Sequence, residues 1–414
     1  MSNSSRNLLK EADETLRVAK KVYDYRSDVL APDRRENLLE AMENMRALRR
    51  VKSTDEPTVR ASIDALEKEM QLSGGTYYPK NGLCENAEVF LVAAILAICI
   101  RMFFVQPFRI PTNSMYPTYN GMTFEVFPTP EDRPSPLLRP LRAIALGAFR
   151  IEADAPVEGE IVVPVYPVSL AKAGYIVRGT AVRSRKWFGL LPTVNARYTV
   201  FVGKTQVPIE VPLEFQFSNV VFERFGTPKS SQIELSNGGV WLYHTGVTVK
   251  EGQPIVSFDI LLGDQLFVDR MSYHFFRPKA GDPIVFRTDN IPGMSERERG
   301  KYYIKRLVGL PGDVLQVKGP ALYRNGAPIE GAEAFDLNAR RVGEYEGYLP
   351  EITSRDLINL GKPYTVPEDC YIGMGDNSDE SADSRVWGPM PRSALVGKAL
   401  FIYYPFTKHV GPAK

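Results

Sequence analysis

One apolar run divides this chain into two unlike parts. Val89 to Ile100 carries no charged side chain; Arg101 interrupts it, and Met102-Phe103-Phe104-Val105 resumes. The uninterrupted portion alone is short enough for a buried core helix. Taken whole, Ala87 to Val105 approaches the roughly 20 residues that cross a bilayer as a helix. Glu88 and Arg101 lie near its ends, where long charged side chains can reach the headgroups, and Pro107 ends it. The pattern predicts one transmembrane helix over residues 87–106. Some 86 residues precede it, so it is not a cleavable signal peptide. Lysine and arginine are nearly balanced around it, so charge alone does not fix its orientation.

Before the run the chain reads as helices. Leu9, Ala12, Leu16, Ala19 and Tyr23 recur at three- and four-residue steps, as do Leu38, Met42 and Met45, and then Val59, Ile63, Leu66 and Met70. Ala31-Pro32-Asp33 separates the first two helices, and Ser53-Thr54-Asp55-Glu56-Pro57 is an N-terminal signal for the third. Such a region is either an interaction module or a small bundle with its own core.

After Gly121 the chain becomes β-rich. Pro128, Pro130, Pro134 and Pro136 mark an irregular loop. Val207, Ile209, Val211, Leu213, Phe215 and Phe217 alternate as a strand with one buried face, and Pro208 and Pro212 place that strand at an edge. Asn237-Gly238-Gly239 is a turn signal. Arg183, Arg185 and Lys186 before Trp187-Phe188 form either a membrane-touching patch or a solvated face.

Composition narrows the chemistry. Fifty-one basic against 49 acidic residues give a net charge of +2, no electrostatic reason to expect nucleic acid. Three cysteines, Cys84, Cys99 and Cys370, cannot build a disulfide framework, and no structural zinc site is expected. Three histidines, His244, His274 and His409, leave a Ser-His-Asp triad arithmetically possible, but none has a recognisable setting. A serine in Pro111-Thr112-Asn113-Ser114-Met115-Tyr116-Pro117-Thr118 follows the apolar run, and a lysine in Tyr303-Ile304-Lys305-Arg306-Leu307-Val308-Gly309 follows a β-like run. A serine hydroxyl needs an adjacent base, and lysine serves only if burial lowers its pKa.

Two further segments complete an ordered set. Gly263-Asp264-Gln265-Leu266-Phe267-Val268 is a Gly-Asp turn entering a strand, and Gly375-Asp376-Asn377-Ser378-Asp379-Glu380-Ser381-Ala382-Asp383-Ser384-Arg385 is a polar loop. Together, over about 87–121 and 263–405, the four resemble the type I signal peptidases, membrane-bound Ser-Lys endopeptidases. The resemblance implies Ser114 as nucleophile, Lys305 as general base, Thr112 as an oxyanion donor where the family often has serine, and Ser381 as the group that orients the lysine. Asp383 and Arg385 match a bracing pair, which reads first as a structural salt bridge.

The resemblance also implies a mainly β catalytic domain of antiparallel sheets, no cofactor, exported preproteins as substrates, and the lipid bilayer and secretion machinery as partners. It places a cytoplasmic N-terminus and an outer-face catalytic domain at the cell (inner) membrane. The expected organisation is a helical region over 1–73, the span over 87–106, the catalytic domain over 107–121 plus 263–414, and a β-rich insertion over 122–262. That insertion departs from the family, in which the Gly-Asp turn follows the nucleophile closely. Ser378 departs too, standing where arginine is common. A soluble Ser-Lys autoprotease related to SOS repressors and a silent membrane-anchored peptide-binding protein are the rival readings. The first lacks a basic helix-turn-helix signal here; the second lacks its expected loss of Ser114 or Lys305.

Overall fold

The computed structural model describes residues 3–50, 55–79, 82–168, 174–186, 191–236, 238–353 and 356–414. It divides into two compact units, residues 1–98 and 99–414. Ser53, Thr54, Trp187, Phe188 and Asn237, with the side chains of Cys84, Arg185 and Lys186, lie outside the described residues.

In the first unit, α1 (Asn3–Arg26), α2 (Pro32–Arg50) and α3 (Glu56–Ser73) enclose one shared core. Leu38, Met42 and Met45 of α2 and Val59, Ile63, Leu66 and Met70 of α3 are buried as their spacing predicts. The face of α1 is rotated. Leu8, Ala12, Ala19 and Val22 are buried, together with Thr15, while Leu16 and Tyr23 only flank the core. Thr15 tolerates burial because its hydroxyl donates to the Glu11 carbonyl at 3.0 Å, a bond that apolar periodicity cannot register.

The apolar run forms α4 (Gly82–Cys99), continued by a π-helical turn over Ile100–Phe104. Glu85–Phe104 is the candidate span, with a mean hydropathy of 2.3 and none of its most apolar window buried. The helix ends before Pro107, and Val105–Arg109 is already strand β1. Proline disfavours helix at the residue ahead of it, which sets this early boundary.

The second unit is built of antiparallel sheets. Its segment 122–262 contains β2 (Thr123–Val126), α5 (Arg139–Leu146), β3 (Phe149–Asp154), β4 (Gly159–Val168), β5 (Gly174–Ile176), β6 (Thr180–Lys186), β7 (Leu191–Val202), β8 (Thr205–Pro212), α6 (Phe217–Phe225), β9 (Ile233–Leu235), β10 (Trp241–Val249) and β11 (Pro254–Leu261). β2, β11 and β3 make a three-stranded sheet; the remaining strands make a seven-stranded one. Every residue of the core they share lies between Met122 and Ile260. Among the described residues β8 pairs with β7 alone, the edge position its prolines predict. The strand stops at Pro212, however; Phe215 and Phe217 are buried from a turn and from the start of α6, and Leu213 is exposed.

The chain leaves and re-enters the rest of the unit at one place. β2 and β11 pair with Thr123 opposite Leu261. A Cβ on Gly263 would lie 2.7 Å from the Gly121 carbonyl carbon and 2.0 Å from the Ile110 carbonyl oxygen, so glycine is required at that crossing. Asp264 N–H donates to the Asn120 carbonyl at 2.8 Å, and the Asp264 carboxylate accepts from Asn120 N–H at 2.8 Å.

Beyond it come β12 (Gln265–Asp269), the single turn α7 (Ser272–Phe275), β13 (Pro283–Arg287) and β14 (Tyr302–Gly309). A small sheet follows, of β15 (Val314–Lys318), β16 (Ala321–Arg324), β17 (Ala327–Pro328) and β18 (Tyr364–Thr365), with α8 (Glu333–Arg340) interposed. Last are β19 (Cys370–Met374), α9 (Ser384–Trp387), β20 (Met390–Pro391), β21 (Leu395–Tyr404) and β22 (Gly411–Pro412). The main sheet runs β1-β12-β21-β13-β14-β19-β20, with β22 also on β21. It therefore joins the strand after the candidate span to the strand that carries Lys305.

Candidate active site

Ser114 sits in a single 3-10 turn, Asn113–Met115, just after β1. Met115 and Ile110 pack with Leu266 and Val268 of β12 and hold the turn on the sheet. Polar bonds fix it from both sides: Gly121 N–H donates to Asn113 Oδ1 at 2.9 Å, and Asn377 N–H donates to the Ser114 carbonyl at 3.2 Å. Gly375 passes so close that a Cβ there would stand 2.2 Å from that same carbonyl. Gly375→Ala should therefore displace the serine and reduce any Ser114-dependent turnover by roughly 100-fold, an effect of the size of a 1 Å misplacement. Steady-state kinetics on a folded variant checks it.

Lys305 is central in β14, opposite Ile284 of β13, and only 4% exposed. A Cβ on Gly373 of β19 would lie 3.1 Å from the Lys305 Cβ, so that glycine leaves room for the side chain. Lys305 Nζ lies 2.6 Å from Ser114 Oγ, and Ser114 is itself 9% exposed. The two residues stand 191 positions apart in sequence. Burial brings the Lys305 pKa down to about 8; the Asp383 charge opposes this, Arg385 adds to it, and Asp376 opposes it more weakly. The Tyr303 ring, 5.6 Å from Nζ, lines the same space.

The remaining sequence-derived residues are placed unevenly. Asp383 and Arg385 are both fully buried and paired, with Nη2–Oδ2 at 2.7 Å and Nε–Oδ1 at 2.9 Å. Asp383 also accepts from Gly375 N–H at 3.0 Å and so ties the pair to the strand end beside Ser114. Burial disfavours the Asp383 charge, but Arg385 and these hydrogen bonds hold its pKa below the ordinary value. Ser378, the departure from arginine, accepts from Arg385 Nη1 and from Leu349 N–H, both at 2.9 Å. A second guanidinium at that buried position would stand against Arg385.

Ser381 is 1% exposed and packs against Gly375, but its hydroxyl has no hydrogen-bond partner among the described residues. The expected Ser381–Lys305 hydrogen bond is therefore not made: Nζ turns to Ser114 instead. Thr112 is exposed and extended, and its side chain makes no capping bond to the turn it precedes. It lines a small cavity of about 20 Å³ whose opposite wall is Phe124, Phe215 and Gln216 from segment 122–262.

Three features went unread in the sequence. Arg306, next to Lys305, is 1% exposed and forms a bidentate pair with Asp376 at 2.6 and 2.7 Å. Thr118 donates to Asp376 at 2.6 Å, and the Gly281 carbonyl accepts from Arg306 at 2.8 Å. The first feature is this pair; the second is Gly281-Asp282, which leads into β13, the strand beside Lys305. The third is His409, whose Nδ1 lies 3.0 Å from buried Asp264. Among the described residues no histidine hydrogen-bonds Ser114.

Two strand edges beside the pair lack a partner strand among the described residues. Among the described residues β1 pairs only with β12, leaving its other edge open. The β14–β19 ladder begins at Arg306, so Tyr302–Lys305 also has an open side. The Phe108 and Tyr302 rings meet between these edges with centroids 5.0 Å apart.

The sequence model of the family described as signal peptidase, peptidase S26, matches residues 83–172 and 256–404. This chain belongs to the signal peptidase I family. It is 33% identical over 146 residues to a probable signal peptidase I-1 of Synechocystis, covering 35% of this chain and 65% of that protein. Signal peptidase I of Leptolyngbya laminosa is 33% identical over 36% of this chain and 66% of its own length. That of Bacillus licheniformis is 33% identical over 35% and 70%. The chain thus spans slightly less than two thirds of the two cyanobacterial relatives. A crystal structure of a signal peptidase I from Enterococcus faecalis aligns at 27% identity over 30% of this chain and 97% of its own, with a TM-score of 0.22, too low to bear on the fold. The family match skips 173–255, inside the segment with its own core.

Proposed function

We propose that this signal peptidase family member is a membrane-anchored serine endopeptidase that removes N-terminal signal peptides from exported preproteins. The observation that carries the reading is the 2.6 Å contact between a buried lysine amine and Ser114. Neutral Lys305 accepts the Ser114 proton as Oγ attacks the scissile carbonyl, and the resulting ammonium protonates the leaving amine. An ester-linked acyl-enzyme forms; Lys305 then deprotonates the water that releases it. The Ser114 N–H lies in the first turn of a 3-10 helix and has no partner within it, so it is available to the oxyanion with the Thr112 hydroxyl, each donor contributing about 3 kcal/mol. Ser381 and the Asp383–Arg385 pair brace the loop against Ser114. The substrate adds as an extended strand between the open edges of β1 and β14. The N-terminal helices are cytoplasmic and the catalytic unit lies on the outer face.

The test is direct. Detergent-solubilised full-length protein is incubated with a preprotein, beside Ser114→Ala. The wild type should release the mature chain and the variant should not; equal cleavage by both, or none by the wild type, sinks the reading.

The pH profile has a definite sign. Only neutral Lys305 can accept a proton, and its pKa is about 8. On the acid side kcat/KM should rise about tenfold per pH unit and level off above that pKa. A profile flat between pH 6 and 9 would exclude Lys305 as the base.

Segment 122–262 is proposed to be a domain inserted into the catalytic unit. Its separate core, its paired first and last strands and the contact of Gly121 with Gly263 support this. Replacing it by a short glycine link should leave a folded protein that still cleaves, checked by circular dichroism and the same preprotein assay.

A further inference from the structure

We propose that the surface where the catalytic unit meets the end of the span holds the phosphate headgroup of an anionic phospholipid, with Phe275 and Phe276 seated in the bilayer beside it. This rests on reading 85–104 as a membrane span, not on the catalytic assignment.

The argument begins at the chain's exit from the bilayer. Phe104 is the last residue of the candidate span, and its carbonyl accepts from Arg270 N–H at 3.0 Å. Arg270 Nη1 donates to Gln106 Oε1 at 2.8 Å, which fixes the guanidinium at that exit. The interfacial layer on each side of the hydrocarbon is only about 5–8 Å thick, so a residue bonded to the end of the span lies within or against it at any helix tilt.

Beside Arg270 opens a cavity of about 640 Å³, lined also by Tyr273, His274, Asp369 and Arg392. That volume falls in the range of small-molecule sites and suits a glycerophosphate group. Its charge is cationic. Arg270 and Arg392 form no ion pair among the described residues, and exposed Arg277 and Lys279 follow within the same loop, likewise unpaired. Two of the three nearby carboxylates are engaged. Asp269 accepts from Met271 and Ser272 N–H; Asp282 takes the Tyr273 hydroxyl and the Lys398 ammonium. Asp369 remains at the rim, outnumbered by the arginines. An Arg fork is suited to bidentate phosphate recognition, and each basic group near an anionic leaflet strengthens attachment several-fold.

The apolar half of the site is the loop after α7. Phe275 and Phe276 are 73% and 71% exposed, adjacent large rings that a water-facing turn has no use for. They follow Arg270 by five and six residues and precede Arg277, the order of aromatic and basic groups found at membrane interfaces.

The test uses the full-length chain in nanodiscs with Phe275→Trp. In discs with acyl-brominated lipid the added tryptophan should be quenched beyond the background of the unsubstituted chain; an unquenched signal overturns the proposal. In detergent, the same chain is titrated with dioctanoyl phosphatidylglycerol, dioctanoyl phosphatidylcholine and inorganic phosphate. The anionic lipid should bind tightest, with affinity falling about tenfold or more in Arg270→Gln combined with Arg392→Gln, while Arg270→Lys, which keeps the charge and loses the fork, falls between the two. Equal binding of the two lipids, equal binding of free phosphate, or an unchanged double variant overturns the headgroup site alone. Failure of the chain to enter discs at all would overturn the span reading and this proposal with it.

Discussion

Lys305→Met should reduce preprotein cleavage by at least about 10⁴-fold while leaving the protein as stable as the wild type or more so. The two effects separate because they come from different properties of one side chain. Methionine matches the length of the buried stem, so little cavity opens. It also removes an amine that is mostly protonated at pH 7, given a pKa near 8, and that the fold holds at 4% exposure. Removing such a charge in favour of an apolar group of similar volume is typically neutral or stabilising. A merely structural lysine would give the opposite result, intact chemistry with a lower melting temperature. Ser114→Ala combined with Lys305→Met should be no slower than either alone, because groups acting as a unit are lost together. Kinetics and thermal unfolding in detergent, measured on the same samples, decide the matter.

The second large effect concerns stability. Asp376→Ala leaves the Arg306 guanidinium 1% exposed without its bidentate partner. Orphaning a buried charge of this kind costs about 3–5 kcal/mol, a fall in Tm of roughly 5–8 °C for a unit of this size. Asp336→Ala provides the contrast. Its partner Arg340 is 61% exposed, and that pair should change stability by less than about 0.5 kcal/mol. Equal shifts for the two variants would contradict the assignment of Arg306–Asp376 as a buried brace.

The sequence was informative where signals are local or where several short segments occur in order. The helical faces of α2 and α3 follow from their spacing, and β8 is an edge strand as its prolines require. Ser114 and Lys305 stood out only as members of an ordered set, since neither residue is unusual alone; the structure then brings them to hydrogen-bonding distance. What escaped was long-range. Arg306 meets Asp376 because β14 lies beside β19 with Arg306 opposite Met374, a register no local pattern encodes. The rotation of α1 depended on one threonine bonding its own helix. The strand-like alternation through Phe217 ran past the strand because burial continued after the backbone had turned.

The contact of Gly121 with Gly263 also bears on how the protein assembles. Bringing Ser114 to Lys305 in an unfolded chain closes a loop of 191 residues. Once β2 has paired with β11, the 141 residues between Gly121 and Gly263 are bypassed in a single step, and the effective loop shortens to about 50 residues, an entropic saving of about 1 kcal/mol. Segment 122–262 can thus act as a folding clasp that forms first and presents the Ser114 turn to the strand carrying Lys305. During synthesis Ser114 emerges well before Lys305, so on the proposed mechanism a ribosome-bound chain is inert until the clasp and then β14 have been made. Destabilising the clasp, for example with Phe258→Ala in its core, should slow recovery of activity after refolding more than it lowers the activity of protein already folded.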